Sequence, residues 1–388
     1  MYFGKYTSYC TSSNNNTNSK LSYLETIIAN VQPDIFTVNE MDDQSYDADL
    51  ILNNSLNTNG VSRYKRALMK GDYLVNMLYY NSEKLELVEQ YTINTEPRIT
   101  DVYRLRYIGG STSEQAELYC FVCHLKAGSG GEDASRRKNA ARLLMNYIDS
   151  NIEGNYLVMG DMNLYGSSEG AFQEFINPSN NEIKLNDPVE QIGEWNNEYN
   201  YRNFHTQSTH TSGSGCHSGG GFDDRFDFIL SSNSIIDGSN QIAYVQNSYK
   251  TFGQDGNRFN STLLSPDNTS LSSEVISALY HNSDHLPVIL DLEINGTTMI
   301  DEFENGFDFH FNNPARDILN IEIKGIEPGE DVEMSIFSLS GKIMFSRKIM
   351  SADLGEELEI DLSYLRNGLY ILNVNGIKGS VSKKLIIQ

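Results

Sequence analysis

Apolar positions along this chain recur at two spacings, and the spacing changes several times. In KLSYLETIIANV (20–31) they fall three and four residues apart, which predicts a helix with one buried stripe. DIFTVNE (34–40) then reads as a buried strand that ends on an acid. YLVNMLYYN (73–81) and ELYCFVCHLK (117–126) are further strands, rich in aromatic and β-branched residues. SRRKNAARLLMNYIDS (135–150) returns to helical spacing, with Ala141, Leu144, Met145 and Ile148 on one side. NYLVMGDMNLYG (155–166) is a strand that breaks into a loop at Gly160, and DDRFDFILSS (223–232) and LPVILDLEI (286–294) follow as strands. Helices and strands alternate early, while later strands are joined by long polar loops. That pattern predicts mixed sheets covered by helices.

After Gly296 the texture changes. A polar stretch, GTTMIDEFENGFDFHFNNPARD, leads into short alternating runs: ILNIEIKGI, DVEMSIFSLSGKIMFSRKI, EELEIDLSYL, GLYILNVNG and GSVSKKLIIQ. Gly, Asn and Ser turns separate them, and no helical pattern of useful length intervenes. About 80 residues of this kind predict a small β-sandwich. The expected organisation is a first domain over 1–294, a linker over 295–307 and a second domain over 308–388.

Charge changes the picture in one respect. The chain has 388 residues and a net charge of −23, with 52 acidic and 29 basic residues. Residues 1–293 hold 37 of those acids and 20 of the bases, a balance of −17. Such a surface repels nucleic acid and anionic membranes at long range, so a polyanionic substrate needs divalent cations or a local basic patch. The segment SRRK (135–138) is a candidate patch, although a solvated helix face explains it better. No run reaches the roughly 18 apolar residues of a membrane helix. The polar N-terminus, MYFGKYTSYCTSSNNNTNSK, has no signal-peptide pattern. Four cysteines, Cys10, Cys120, Cys123 and Cys216, permit one or two disulfides whose pairing stays open. Cys120 and Cys123 form a C-x-x-C inside a strand-like run, without the second pair that completes a zinc site.

Ser283, Asp284 and His285 stand side by side and suggest a hydrolase triad. Geometry excludes it: neighbours in an extended segment point to opposite faces, whereas triad members must converge at hydrogen-bond distance. An Asp-His pair at the mouth of a strand instead suits a task in which each reaches a different part of one site. A plain turn, with Asp284 capping backbone amides and Pro287 setting the bend, explains the segment equally. Other ionisable residues also gather at strand ends: Glu40, His124, Asp161 with Asn163, and Asp227. Each alone has a plain explanation as a turn cap or a packed histidine. Together they offer oxygen donors suited to a hard cation and two imidazoles for proton transfer.

VNE (38–40), HLK (124–126), GDMN (160–163), RFDFIL (225–230) and SDHLP (283–287) occur in an order that resembles the endonuclease/exonuclease/phosphatase (deoxyribonuclease I-like) superfamily. The likeness covers roughly residues 18–294. It implies a four-layer αββα sandwich, of α/β (α+β) class, with one metal-dependent phosphoesterase site between its loops. Carried over residue by residue, it implies Glu40 and Asp284 as ligands of a divalent metal, Mg²⁺ foremost and Mn²⁺ or Ca²⁺ as alternatives. His285 contacts the scissile phosphate or takes a proton from water, and Asp227 orients its imidazole. Asp161 aligns the attacking water, Asn163 hydrogen-bonds the phosphate, His124 is a general acid or phosphate ligand, and Lys126 adds positive charge for substrate. Family members begin with a strand ending in an Asn that joins the site; Met1 looks like the continuation just after it, so one core strand is expected to be absent.

The second part resembles the C-terminal sorting domain of the type IX secretion system. FNNPARDILNIEI, MSIFSLSGKIM, IDLSYLRNGLYILNV and KKLIIQ carry its Pro-containing start, G-K turn, L-x-x-G-x-Y stretch and basic end. This implies engagement of the secretion machinery by 308–388, export across the outer membrane, and release or surface attachment. The resemblances together imply a secreted, monomeric phosphodiesterase, foremost a nuclease acting on nucleic acid. The alternatives are a sphingomyelinase or other phospholipid enzyme, a phosphomonoesterase, or a catalytically inactive surface-binding module.

Overall fold

The apolar runs of the first part become elements that stack as layers. In the computed structural model the described residues are 2–109, 116–294, 308–324, 329–338, 342–350, 358–376 and 379–388. They fall into two units, Met1–Gly296 and Thr297–Gln388. The expected linker, 295–307, lies outside the described residues.

The first unit runs α1 (Thr17–Val31), β1 (Ile35–Met41), α2 (Ser45–Ile51), β2 (Tyr64–Arg66), β3 (Val75–Asn81), β4 (Leu85–Ile93) and β5 (Thr100–Tyr107). It continues through β6 (Glu117–His124), α3 (Gly131–Asn151), β7 (Asn155–Asp161), α4 (Gly170–Ile176), β8 (Leu185–Asn186) and β9 (Asp227–Ser232). It closes with α5 (Asn233–Asp237), β10 (Ile242–Tyr244), β11 (Lys250–Thr251), α6 (Ser273–Asn282), β12 (Val288–Ile289) and β13 (Leu292–Ile294). Local chemistry sets the helix starts. The Asn16 side chain accepts from the Ser19 amide before α1, Ser272 accepts from Val275 before α6, and Glu132 and Asp133 sit in the first turn of α3.

Six strands form one sheet in the order β4-β5-β6-β7-β9-β8, antiparallel except for the β6–β7 pair, which α3 connects as a crossover. Three more form a second sheet, β1-β3-β2. Alternation along the large sheet separates its two faces. Leu118, Cys120 and Val122 of β6, with Leu157 and Met159 of β7, face Met77 and Tyr79 of β3 between the sheets. Phe121, Cys123, Tyr156 and Val158 face the apolar stripe of α3, including Ala141, Leu144, Met145 and Ile148. On the far side of the small sheet, α1 packs with α6 through Ile27, Val275 and Leu279. The order is helix, sheet, sheet, helix: a four-layer α/β sandwich.

Some elements depart from the sequence reading. Residues 286–294 divide into two short strands, because Leu290 and Asp291 interrupt the pairing of β12 and β13 with different partners. Strands β4 and β5 and helix α6 carry no strong signal. In β4 the charged residues Glu86 and Glu89 mask the alternation of an edge strand. Cys120 and Cys123 lie on opposite faces of β6, so they cannot share a metal. Burial pushes both thiols up to about 12. Cys10 and Cys216 form a disulfide instead.

In the second sheet β1 is an edge strand, paired with β3 on one side only. Its other side opens on a cleft of about 540 Å³ walled by Ile35–Glu40 and Leu286–Leu292, with Leu157, Met159, Phe228 and Ile229 in its floor. Phe3 bridges to Met41 in the parallel sense at the end of β1.

The second unit contains β14 (Asp308–Phe311), β15 (Ile318–Lys324), β16 (Val332–Ser338), β17 (Ile343–Ile349), β18 (Leu358–Asp361), β19 (Gly368–Gly376) and β20 (Gly379–Ile387). Sheets β14-β15-β18 and β17-β16-β19-β20 enclose one core of Leu319, Ile321, Met334, Ile336, Leu372, Val374 and Leu385. This is the all-β sandwich that the alternating runs predict.

Candidate active site

The inter-sheet face turns polar at one end of three adjacent strands. His124 ends β6 on the face of Leu118, Cys120 and Val122, Asp161 ends β7 on the face of Leu157 and Met159, and Asp227 begins β9. Register places His124 opposite Asp161, and Asp161 opposite Asp227. The result is a row of one imidazole and two carboxylates across neighbouring strands. Like charges opposite one another in a sheet oppose folding, so a row of this kind is a local conflict retained against the interest of stability.

His285 completes the row. Its Nδ1 lies 2.6 Å from Asp227 Oδ2, and its Nε2 lies 4.0 Å from Asp161 Oδ2. His124 Nε2 lies 3.5 Å from the same Asp161 oxygen. Ligand atoms of Asp161, Asp227 and His285 all lie within 4.8 Å of one another. Burial disfavours charge on His285, but Asp227 overrides this and pushes its pKa up to about 10. His124 differs: burial and the charge of Arg98 pull it down to about 3, so it is neutral at physiological pH. Burial, with Asp227 and Glu40 adding repulsion, holds Asp161 well above the ordinary carboxylate range.

Glu40 reaches the site through a distortion of β1. The strand's register shifts between Val38 and Met41, and Glu40 takes a φ of +66°, in the left-handed region. A bulge of this kind re-aims a side chain at a sheet edge. Asn39 beside it ties β1 to the large sheet, accepting the Asp161 amide at 3.2 Å and donating to the Cys123 carbonyl at 3.3 Å. Asp284 follows α6, its Oδ2 accepting the Ser218 amide at 2.7 Å. Burial opposes charge on Asp284, but His285 and the Ser218 amide hold it below the usual carboxylate range.

Asn163 is buried with a φ of +51°; its amide N–H donates to Asp161 Oδ1 at 3.0 Å and its side chain to the Leu125 carbonyl at 3.3 Å. Lys126 turns elsewhere, pairing with Asp133 at 2.9 Å in the first turn of α3. The SRRK segment is likewise engaged. Arg137 is buried and bonded to Glu169 and to the carbonyls of Lys126 and Gly128, Arg136 pairs with Glu132, and Lys138 lies 3.8 Å from Glu174.

Four residues at the site carried no motif. Arg98 donates to the carbonyls of His124 and Leu125 at 2.9 and 2.6 Å, and its charge lies in the field of Asp161 and Glu40. Lys20 is 7% exposed; burial pulls it down to about 8 while Asp284 and Glu40 favour its charge. Gln207 places Nε2 2.6 Å from His285 Nε2 and 3.5 Å from Asp284 Oδ2. Ser218 contributes only its backbone. Lys20 was legible as a charge on the buried stripe of α1, whereas Gln207 and Ser218 lie in a polar loop without periodicity.

The donor set suits a hard divalent cation. Asp161 is raised chiefly by burial, with repulsion from Asp227 and Glu40 added, and Glu40 in turn feels the charge of Asp284. The ligand atoms that lie within 4.8 Å of one another are those of Asp161, Asp227 and His285, with Glu40 and Asp284 in the field of the same site.

Comparisons with known proteins address the two units differently. No curated protein matches the chain. Among solved structures it is similar to an endonuclease/exonuclease/phosphatase from Beutenbergia cavernae, at 14% identity and a TM-score of 0.40, over 94% of this chain and 94% of that one. It is similar to the human Nocturnin catalytic domain with bound sulfate anion, at 14% and 0.43, over 71% and 86%. A family protein of the same description from Bacteroides thetaiotaomicron gives 12% and 0.43, over 72% and 87%. At these scores the likeness carries no argument about chemistry. Residues 311–388 match the family model described as a secretion system C-terminal sorting domain. The second unit belongs to that family, and it marks the chain for type IX export to the cell surface or the medium.

Proposed function

We propose that the first unit is a divalent-metal-dependent phosphodiesterase and that its substrate is nucleic acid. The observation that carries this reading is the in-register row His124–Asp161–Asp227 with His285 bonded to Asp227 beside it. The chain thereby presents a charged imidazole, a neutral imidazole and a high-pKa carboxylate to one point. Glu40 and Asp284 would hold the cation, which when bound supplies Lewis acidity and charge neutralisation at a phosphate. His285, kept protonated by Asp227, directs positive charge at the phosphoryl oxygens as they gain negative charge. His124 is neutral, so it serves as a hydrogen-bond donor to the phosphate and not as a proton source. Asp161, raised in pKa, is suited to align the attacking water and accept its proton. Asn163 donates to the phosphate, and Arg98 adds positive charge in a strongly acidic unit.

Nucleic acid is favoured over lipid by the exposed apolar surface. Among the described residues of the first unit the exposed large hydrophobics are separated in sequence, with Tyr6, Tyr9, Tyr46, Tyr73 and Tyr199 beside the aliphatics Leu68, Ile108, Leu143, Ile192, Leu264 and Ile294. A lipid-embedding segment needs contiguous aliphatic surface, whereas isolated tyrosines offer stacking faces for bases. The test is hydrolysis of plasmid DNA, RNA and sphingomyelin, each with Mg²⁺ or Mn²⁺ and with EDTA. Asp284→Ala and His285→Ala are expected to lose about 10²–10⁴-fold in rate. Undiminished activity in either variant sinks the assignment, and cleavage of sphingomyelin alone moves the substrate to lipid.

A further inference from the structure

The disulfide reaches the site from both of its ends. Cys10 and Cys216 are 206 residues apart in sequence, and Cys10 is fully buried. Cys10 belongs to a segment stitched to β1 at Glu40: the Phe3 amide donates to the Glu40 carbonyl at 3.1 Å, and the Asp42 amide to the Phe3 carbonyl at 2.8 Å. Lys20 donates to the Tyr2 carbonyl of the same segment at 2.8 Å. Cys216 sits in a loop whose Ser218 amide is bonded to Asp284 Oδ2 and whose Gln207 side chain contacts His285 and Asp284.

Near its tip the loop is also held by Ser208 Oγ, which donates to the Ser218 carbonyl at 2.9 Å, and by His217, which stacks on His210 at 3.9 Å. Residues 211–221, TSGSGCHSGGG, include five glycines. Its backbone closes on itself through Ser214 to His217, Gly220 to Thr211 and Gly221 to His210. Glycine-rich backbone has much conformational freedom to lose, so a covalent tie at its tip has a large effect on where Ser218 resides. Gly215 is seated so close to Tyr9 that an added Cβ would stand 2.2 Å from the tyrosine's own Cβ. The tie and this close seating locate the loop against the segment that leads into β1.

We propose that the Cys10–Cys216 disulfide is a redox-dependent positioning clamp that holds the Ser218 amide on Asp284 and so sets the affinity of the site for a divalent cation. The proposal rests on the metal-binding reading of Asp284 given above. Opening the clamp requires a dithiol reductant. Two electrons and two protons pass to the protein, Cys10 and Cys216 become thiols, and the reagent closes to its cyclic disulfide. Cys120 and Cys123 stay out of this exchange, since both are buried thiols of high pKa.

The probe is Mn²⁺, titrated calorimetrically into the oxidised full chain and into the Cys10→Ser/Cys216→Ser double variant, with circular dichroism to verify folding. Loss of a group that orients a metal ligand typically weakens affinity 10–100-fold, so a fall of at least about tenfold is expected. Ser218→Pro, which keeps the disulfide and removes the N–H, is expected to show a similar fall. Unchanged affinity in a folded double variant overturns the clamp. If the double variant does not fold, unchanged affinity in Ser218→Pro overturns it. Oxidised wild-type protein that binds no Mn²⁺ overturns both the clamp and the metal-site reading. Protein that binds Mn²⁺, shows the expected falls and hydrolyses no phosphodiester supports the clamp and overturns the enzymatic reading alone.

Discussion

A histidine charged at neutral pH and another that is neutral stand around one aspartate, and their environments explain the difference. His285 has Asp227 at Nδ1, while His124 has the positive charge of Arg98 nearby and a buried Nδ1 with no partner among the described residues. In the metal-free protein, Asp227→Asn is expected to lower the His285 pKa from about 10 towards the ordinary value, followed by NMR titration. The linkage sign follows from a raised folded-state pKa. The stabilisation is complete below the unfolded value of about 6.5 and is lost as pH rises through about 10. Urea unfolding with EDTA should therefore show the variant less stable by roughly 2–3 kcal/mol at pH 6, less than for a buried pair that cannot shed its charge. The gap should close as pH approaches 10. Residues of this kind were readable from sequence because each is a polar residue terminating an apolar run. Gln207 and the Ser218 amide were not, since a loop carries no period and a backbone group carries no residue signature.

At the scale of elements, the site depends on how closely β6 and β7 run where both end. Gly160, with a φ of +130°, lies where an added Cβ would stand 2.0 Å from the Cys123 carbonyl oxygen. Gly160→Ala should therefore cost roughly 2–4 kcal/mol through strain and overpacking combined, measured by urea denaturation. Because this contact sets the His124–Asp161 approach, the phosphodiesterase rate should fall with it. The run NYLVMGDMNLYG predicts a break at Gly160, but β7 pairs through it to Asp161; the glycine answers a neighbouring carbonyl 37 residues earlier in sequence, which the run does not show. The same holds for β1: its acidic end was legible, while the bulge that turns Glu40 inward arises from pairing with β3. β4 stayed hidden because Glu86 and Glu89 give an edge strand the polarity of a loop.

At the scale of the molecule, chemistry and address are carried by separate cores. All the site residues lie in Met1–Gly296, and residues 311–388 match the sorting family. A chain ending at Gly296 should hydrolyse phosphodiesters at the rate of the full chain within about twofold, by kcat/KM, while losing export. A large loss of rate would show that the second unit supports the first. This division was legible because the repertoire of periods changes from mixed to purely alternating near residue 296.

The tie between Cys10 and Cys216 has a consequence in time as well as in space. Disulfides form outside the reducing cytoplasm, so in a newly made chain Cys10 and Cys216 are both thiols and the loop lacks its covalent tie. On the proposed clamp, such a chain grips its cation weakly among the nucleic acids of the cell that made it. In an oxidising compartment an acceptor of two electrons and two protons would close the bond and, on the proposed clamp, tighten the site. On that reading the site would be completed only at its destination.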